Sequence, residues 1–318
     1  MTFSQGKGIP TEHPSASDHS HLGLVYLLVS NGRDVYADMT LVSMLSARAS
    51  NPHLRVTLVC DEISYASLHD SKHRILDACD LKVSVPTPEG SPTFRHRWVK
   101  TRLPDYVRGR TLFLDGDTLV RGSLSPLATC SISLGAALDA NGSTPPPHDV
   151  AKREAFRTSM GWPAFSKYFN TGVLLFTDSD AVKQFFSDWH SLWLSGFRQH
   201  GFNLDQPSFN AVLGQSDFGF QELSLIYNYQ TSVSWEDASR SVIWHFWGTT
   251  ANDRHSLSML TRSVKHISTE KLFRKVKKAI SFSTPVATND HLGRFLSAIH
   301  LNPELQRKIQ YKRSRHAS

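Results

Sequence analysis

The chain has 318 residues, 40% of them hydrophobic, and its 35 Lys and Arg outweigh 28 Asp and Glu to give a formal net charge of +7. That length holds one large domain or two modest ones with a substantial core, and the charge favours an anionic partner without choosing among nucleotide, nucleic acid and lipid. No apolar run nears the about 20 residues that cross a bilayer, no dense basic arm argues for nucleic acid, and Cys60, Cys79 and Cys130 are too scattered for a Cys-x-x-Cys site or a disulfide framework.

Residues 1–20, rich in Ser, His, Gly and Pro, are expected to be disordered and lack the basic-then-apolar layout of a signal peptide. Leu24 to Val29 reads as the first core strand. Asp34 to Ala49 places Val35, Met39, Val42 and Leu45 at helical spacing, with Asp34 suited to the helix start. Leu54 to Val59 is a second strand, Leu68 to Ala78 a helix, and Leu81 to Val85 a third strand ended by Pro86 and Pro88. Phe94 to Leu103 reads as a helix stopping near Pro104, and Arg110 to Asp115 as the next strand. Strand and helix alternate through this half, which predicts a mostly parallel sheet with helices on both faces.

After Asp117 the order changes. Leu134 to Ala140 reads as a strand and Asn141 to His148 as an extended, Pro-rich rim segment. Phe169 to Phe176 is an apolar run interrupted by Asn170 and Gly172, Ser179 to Leu194 an amphipathic helix, Asp205 to Leu213 a short helix, and Val242 to Trp247 a late strand. Leu272 to Ile280, Leu292 to Ile299 and Pro303 to Ile309 are further helix candidates. The pattern divides the chain into a disordered segment over 1–20, a domain over 21–250 and a helical, basic region over 251–318. Lys271, Arg274, Lys275, Lys277 and Lys278 form one cationic cluster and Arg307, Lys308, Lys312, Arg313 and Arg315 another. Such clusters suit either an acidic membrane surface or plain solvation. The cysteine usage fits a reducing compartment, so a cytoplasmic protein is expected, with peripheral contact to a membrane's cytoplasmic face as the option the basic clusters leave open.

The chemistry concentrates after the Arg110 strand. Asp115 and Asp117 flank Gly116 at its C-terminal end, where open α/β sheets bind ligands. Close carboxylates repel unless a proton or cation intervenes, and a divalent ion carrying a diphosphate would resolve that conflict. His245 is the candidate third ligand, and an imidazole beside carboxylates suits Mn²⁺-class ions while Mg²⁺ prefers oxygen alone. The same histidine also suits a core edge among Trp244, Phe246 and Trp247. Gly248 allows close approach of a phosphate or a sharp turn. Asn170 can donate and accept, as sugar hydroxyls require, or can serve a local turn. Asp205 and Gln206 are candidate substrate contacts, though Asp205 equally suits a helix N-cap. Lys100 either reaches a phosphate or forms an exposed salt bridge. Tyr36 either stacks on a base, with Asn31 and Asp34 bonding its edge, or packs on the sheet. No Gly-x-Gly-x-x-Gly and no Gly-x-x-x-x-Gly-Lys pattern follows the first strand, which argues against NAD dehydrogenases and P-loop ATPases.

The ordered landmarks are Leu-Phe-Leu-Asp-Gly-Asp-Thr-Leu-Val at 112–120, Tyr-Phe-Asn-Thr-Gly-Val-Leu-Leu-Phe at 168–176, Leu-Asp-Gln-Pro-Ser-Phe-Asn at 204–210 and His-Phe-Trp-Gly at 245–248. With them the sequence resembles the GT-A glycosyltransferases of family eight, the retaining glycogenin and bacterial lipopolysaccharide galactosyltransferase type. The resemblance implies an α/β fold with a Rossmann-like, mostly parallel central sheet flanked by helices and a helical C-terminal extension. It also implies a nucleotide-sugar donor, commonly a UDP-sugar, and Mn²⁺ (with Mg²⁺ as the alternative) on Asp115, Asp117 and His245. Asn31 and Tyr36 would meet uridine, and Lys100 the diphosphate or donor sugar. Asn170, Asp205 and Gln206 would face the sugar and a saccharide or glycoconjugate acceptor, for hexose transfer with retention. One departure stands out: Ala251 occupies the position of the family's diphosphate-binding lysine, and Arg254 is the nearby candidate for that charge. Arg and Lys differ in reach and geometry. A non-catalytic nucleotide-sugar or carbohydrate-binding protein and a sugar nucleotidyltransferase remain the competing readings.

Overall fold

The structure, a computed structural model, describes residues 22–30, 34–142, 150–216, 218–234, 237–248 and 255–285. Asn31, Arg254, the Pro-rich residues 143–148 and the two helix candidates beyond residue 285 lie outside them. In chain order the first half runs β1 (Gly23–Leu28), α1 (Tyr36–Ser50), β2 (Val56–Asp61), α2 (Glu62–Asp70), α3 (Ile75–Ala78), β3 (Leu81–Val85), α4 (Pro92–Lys100), α5 (Leu103–Tyr106) and β4 (Thr111–Leu114). There follow β5 (Thr118–Val120), α6 (Ser125–Thr129), β6 (Leu134–Leu138), α7 (Val150–Ser159), β7 (Phe169–Phe176), α8 (Asp180–His200) and α9 (Gln206–Gln215). The last elements are β8 (Phe220–Glu222), β9 (Tyr229–Gln230), β10 (Ile243–His245), α10 (Ser256–Ser263) and α11 (Thr269–Ile280).

The main sheet has the order β3-β2-β1-β4-β7-β6-β8. β3, β2, β1 and β4 are parallel, β7 runs antiparallel to β4, and β6 pairs antiparallel with β7 and parallel with β8. Successive residues of β1 enter opposite cores, Leu24, Tyr26 and Leu28 on one face and Val25, Leu27 and Val29 on the other. That alternation between two apolar layers explains why the strand reads as an unbroken hydrophobic run. β5, β10 and β9 form a second, three-stranded sheet.

Several helix boundaries differ from expectation for local reasons. The helix expected over 68–78 is two pieces. α2 starts at Glu62 because Asp61 Oδ1 accepts the Ser64 N–H at 3.0 Å, and Lys72, at φ 50°, turns the chain out of helix before α3. Pro104 does not stop a helix but sits in the first turn of α5, where its missing N–H is harmless. Asp34 is not the cap of α1; Val35 holds that position, while Asp34 Oδ1 accepts the Tyr36 N–H and the Ser30 hydroxyl. β5, β8 and β9 have two or three residues each, too few for periodicity to register.

α1 is buried along most of its length, packed against the sheet on one side and α10 and α11 on the other. Its small hydroxyl residues satisfy β5: Ser46 Oγ accepts the Val120 N–H at 2.8 Å, and Ser50 Oγ donates to the Val120 carbonyl at 3.1 Å. Arg121, just past β5, fastens the late chain, donating to the carbonyls of Ala238 at 2.9 Å, Ser241 at 3.0 Å and Ile280 at 3.1 Å. Five cations of α11, from Lys271 to Lys278, are exposed opposite its buried Leu272, Val276 and Ala279.

Candidate active site

β4 ends at Leu114 and delivers Asp115 and Asp117 beyond the sheet. The Asp115 N–H donates to the Gly172 carbonyl at 2.8 Å, so β7 holds the start of the turn. Its other end becomes β5, which pairs antiparallel with β10 in the register His245 opposite Thr118. The Phe246 N–H then donates to the Asp117 carbonyl at 2.9 Å. This pairing is how a histidine far along the chain reaches the carboxylates. Ligand-type atoms of Asp115, Asp117 and His245 all lie within 4.8 Å of one another.

Two glycines make the convergence sterically feasible. A Cβ on Gly172 would overlap His245 Cε1 and crowd Asp115 Oδ2 and Asn170 Oδ1, so the strand approaches the cluster only because no side chain is there. A Cβ on Gly116 would strike the hydroxyl of Thr40, four residues into α1.

The electrostatics are asymmetric. Burial pushes the Asp115 carboxyl up and Asp117 adds to that, against Lys100 and His245. Burial also works against the charge on Asp117, but His245 outweighs it and holds that carboxyl down. His245 is correspondingly raised: burial lowers it, and Asp117 together with Asp115 more than compensates. Asp117 Oδ1 is shielded from water and has no well-formed hydrogen bond among the described residues, although His245 Nε2 is 3.2 Å away. A buried acceptor in that state carries a desolvation penalty, which a cation shared by imidazole and carboxylates would remove. The donor set therefore fits a divalent metal.

Around this cluster is a cavity of about 260 Å³ whose lining includes Arg97, Lys100, Asp139, Arg153, Asn170, Asp205, Gln206 and Gly248. Lys100 is buried, not the exposed salt bridge of its alternative reading. Its Nζ lies 3.3 Å from Asp115 Oδ1 and 3.4 Å from Asp205 Oδ2. Asp205 occupies the N-cap position of α9 but its side chain makes no cap bond. It turns to the site instead, with Arg97 Nε 2.8 Å from Oδ1 and the Thr171 hydroxyl donating to Oδ2 at 3.1 Å. Burial alone would raise its pKa, but Arg97, Lys100 and His96 hold it well below the usual carboxylate range. Gln206 accepts the Thr171 N–H through Oε1 at 3.3 Å. Gly248 has a φ of 73°, the left-handed turn its residue type allows.

Asn170 is 7% exposed and spends most of its bonding capacity on the protein: Nδ2 donates to Asp139 Oδ1 at 2.9 Å, and Oδ1 accepts from the Gly172 N–H and Asn228 Nδ2. Tyr36 does not pack on the sheet; it is 54% exposed at the start of α1, four residues before the Thr40 that abuts Gly116, and outside the cavity lining. Arg97, Asp139, Arg153 and Asn228 escape a reading of the sequence alone. Asp139 at a strand end carries a signal of the Asp115 kind, and Arg97 lies one helical turn before Lys100; Asn228, between two short elements, has none.

The profile of glycosyl transferase family 8 matches residues 28–251. None of the curated proteins compared with the chain matches it. Among solved structures, the galactosyltransferase LgtC in complex with donor and acceptor sugar analogues is similar at 20% identity and a TM-score of 0.53, over 86% of this chain and 99% of that one. The glycosyltransferase GlyE of Streptococcus pneumoniae TIGR4 is similar at 17% identity and a TM-score of 0.51, over 82% of this chain and 64% of that one. At such identities these likenesses speak for the fold alone.

Proposed function

The chain belongs to glycosyl transferase family 8, with its α/β GT-A fold, and on that premise we propose that it moves a hexose from a UDP-sugar to a saccharide or glycoconjugate hydroxyl with retention of anomeric configuration. Transfer of a sugar from a nucleotide-sugar donor to an acceptor is the activity of the family. The observation that carries the finer reading is the Asp115, Asp117 and His245 cluster, open to a cavity with Lys100, Asp205 and Gln206 on its wall. A mixed carboxylate and imidazole set favours Mn²⁺ over Mg²⁺. When bound, the cation supplies Lewis-acid neutralisation of the charge on the leaving diphosphate.

The protein's own groups do the rest. Lys100, buried beside Asp115, offers a fixed positive charge to the diphosphate, and with Arg97 it supplies charge that Ala251 does not. Asp205 is a weak base because two cations hold it anionic. The same pairing blunts it as a nucleophile, which favours attack by the acceptor from the face the diphosphate leaves over a covalent sugar intermediate. In that route the acceptor oxygen bonds the anomeric carbon as its bond to the diphosphate breaks, and the acceptor proton passes to a diphosphate oxygen. Asp205 then stabilises positive character on the sugar, and Gln206 orients the reacting hydroxyl. Tyr36, exposed at the first turn of α1, is the candidate base platform.

A Mn²⁺-supplemented panel of nucleotide sugars, read by donor hydrolysis and mass detection of a sugar-linked product, tests this. Release of UDP with a UDP-hexose supports it. Release of pyrophosphate would mean a sugar nucleotidyltransferase, and saturable donor binding with no turnover a binding protein.

A further inference from the structure

We propose that Asn228 is a positioning residue for the metal centre, holding His245 as the Nδ1–H tautomer so that the Nε2 lone pair faces the cation. The inference rests on the metal-dependent reading above and deepens it. Asn228 is fully buried and lies outside every landmark motif. Its amide Oδ1 is 2.8 Å from His245 Nδ1, and its Nδ2 is 3.0 Å from Asn170 Oδ1.

Amide and imidazole orientations follow from the hydrogen-bond network, and here the network has two ends of known polarity. The Gly172 backbone N–H can only donate, and it meets Asn170 at 2.9 Å, so that atom of Asn170 is the oxygen. The other end of the same amide lies 2.9 Å from the Asp139 carboxylate, which is itself paired with Arg153 at 3.0 Å and accepts, so that atom is Nδ2. With Asn170 Oδ1 fixed as an acceptor, the Asn228 atom facing it must be the amide nitrogen. The Asn228 atom facing His245 is then the oxygen, and Nδ1 of the neutral imidazole must carry its proton. Nε2, 3.2 Å from Asp117 Oδ1, is left with its lone pair turned to the carboxylates. A carboxylate at the far end thus dictates, through two amides, which imidazole nitrogen is free to bind metal. Partners behind a metal-binding histidine act in this way on ligand orientation and basicity.

The test uses the full chain and Mn²⁺ alone, with free Mn²⁺ measured by electron paramagnetic resonance and folding by metal-free thermal melting. Asn228→Leu, which keeps the branched shape and removes the acceptor, is expected to weaken Mn²⁺ binding about 10–100-fold. Asn228→Asp keeps an oxygen opposite Nδ1 and is expected to bind at least about tenfold more tightly than Asn228→Leu. Wild-type affinity in folded Asn228→Leu, or an aspartate variant no better than the leucine one, overturns the inference while leaving the metal reading intact. No saturable Mn²⁺ binding by the wild-type chain overturns both. Should either variant fail to fold, ¹⁵N imidazole spectra of metal-free wild type, with its neutral signal assigned by comparison with His245→Asn, decide: a protonated Nδ1 supports the assignment and a protonated Nε2 overturns it.

Discussion

Asp117 is held at both ends, its carbonyl by the Phe246 N–H and its carboxylate beside His245. Asp117→Asn keeps that shape and removes the charge a cation needs. Because partners merely behind a ligand are worth about 10–100-fold in affinity, loss of a ligand's charge is expected to lower Mn²⁺ affinity and transfer by at least about 100-fold. Wild-type turnover of this variant at saturating donor and Mn²⁺ would remove Asp117 from the site. His245 supplies the pH dependence. Its pKa is raised above the ordinary 6.5 by Asp117 and Asp115 against the effect of burial, so in the metal-free protein a second proton sits on the imidazole below that raised value. Proton and cation compete for the same nitrogen. Mn²⁺ affinity should therefore climb with pH through the His245 titration and level off above it; titrations giving one constant from about pH 6 to about pH 9 would contradict this.

Among the elements, β7 carries the sharpest constraint. Its run from Phe169 to Phe176 is buried at every position, yet it must pass against the cluster of Asp115 and His245. Gly172 lets it do so. Gly172→Ala would force the new methyl against His245 Cε1 and Asp115. Overpacking of this kind costs about 1–3 kcal/mol, and the neighbours that must yield here belong to the candidate metal site. The variant is expected to melt lower and to lose Mn²⁺ affinity, a joint change that thermal melting and a Mn²⁺ titration would register. Unchanged affinity would mean that the cluster tolerates a shift of β7. Landmark runs such as Phe169 to Phe176 were legible because a long strand buried on both faces advertises itself in every residue. β5 was harder: at three residues it has little propensity of its own, and its place is settled by α1 hydroxyls and by pairing with β10, which lies inside the strand expected over Val242 to Trp247.

Over the whole molecule, the candidate metal joins segments that are distant in sequence, Asp115 and Asp117 from one turn and His245 from the second sheet. An unfolded chain does not present these atoms together, so binding stabilises only the native state. At a Mn²⁺ concentration 100 times its Kd the gain is about 2.7 kcal/mol, and a domain of this size converts that to a rise in Tm of roughly 5–10 °C. The rise should be absent in Asp117→Asn. An equal rise in that variant would show that the ion acts elsewhere.

Local order in the residues was sufficient for the alternation of strand and helix, for the acidic pair at the end of β4, and for the family to which the chain belongs, because buried strands and their terminal motifs are written in consecutive positions. Tertiary structure alone decided that His245 meets Asp117 through the β5–β10 register, that Asp205 turns from its helix to Arg97 and Lys100, and that Asn228 stands behind the imidazole. Those contacts join residues far apart along the chain, and no periodicity or spacing records a distance that only folding closes.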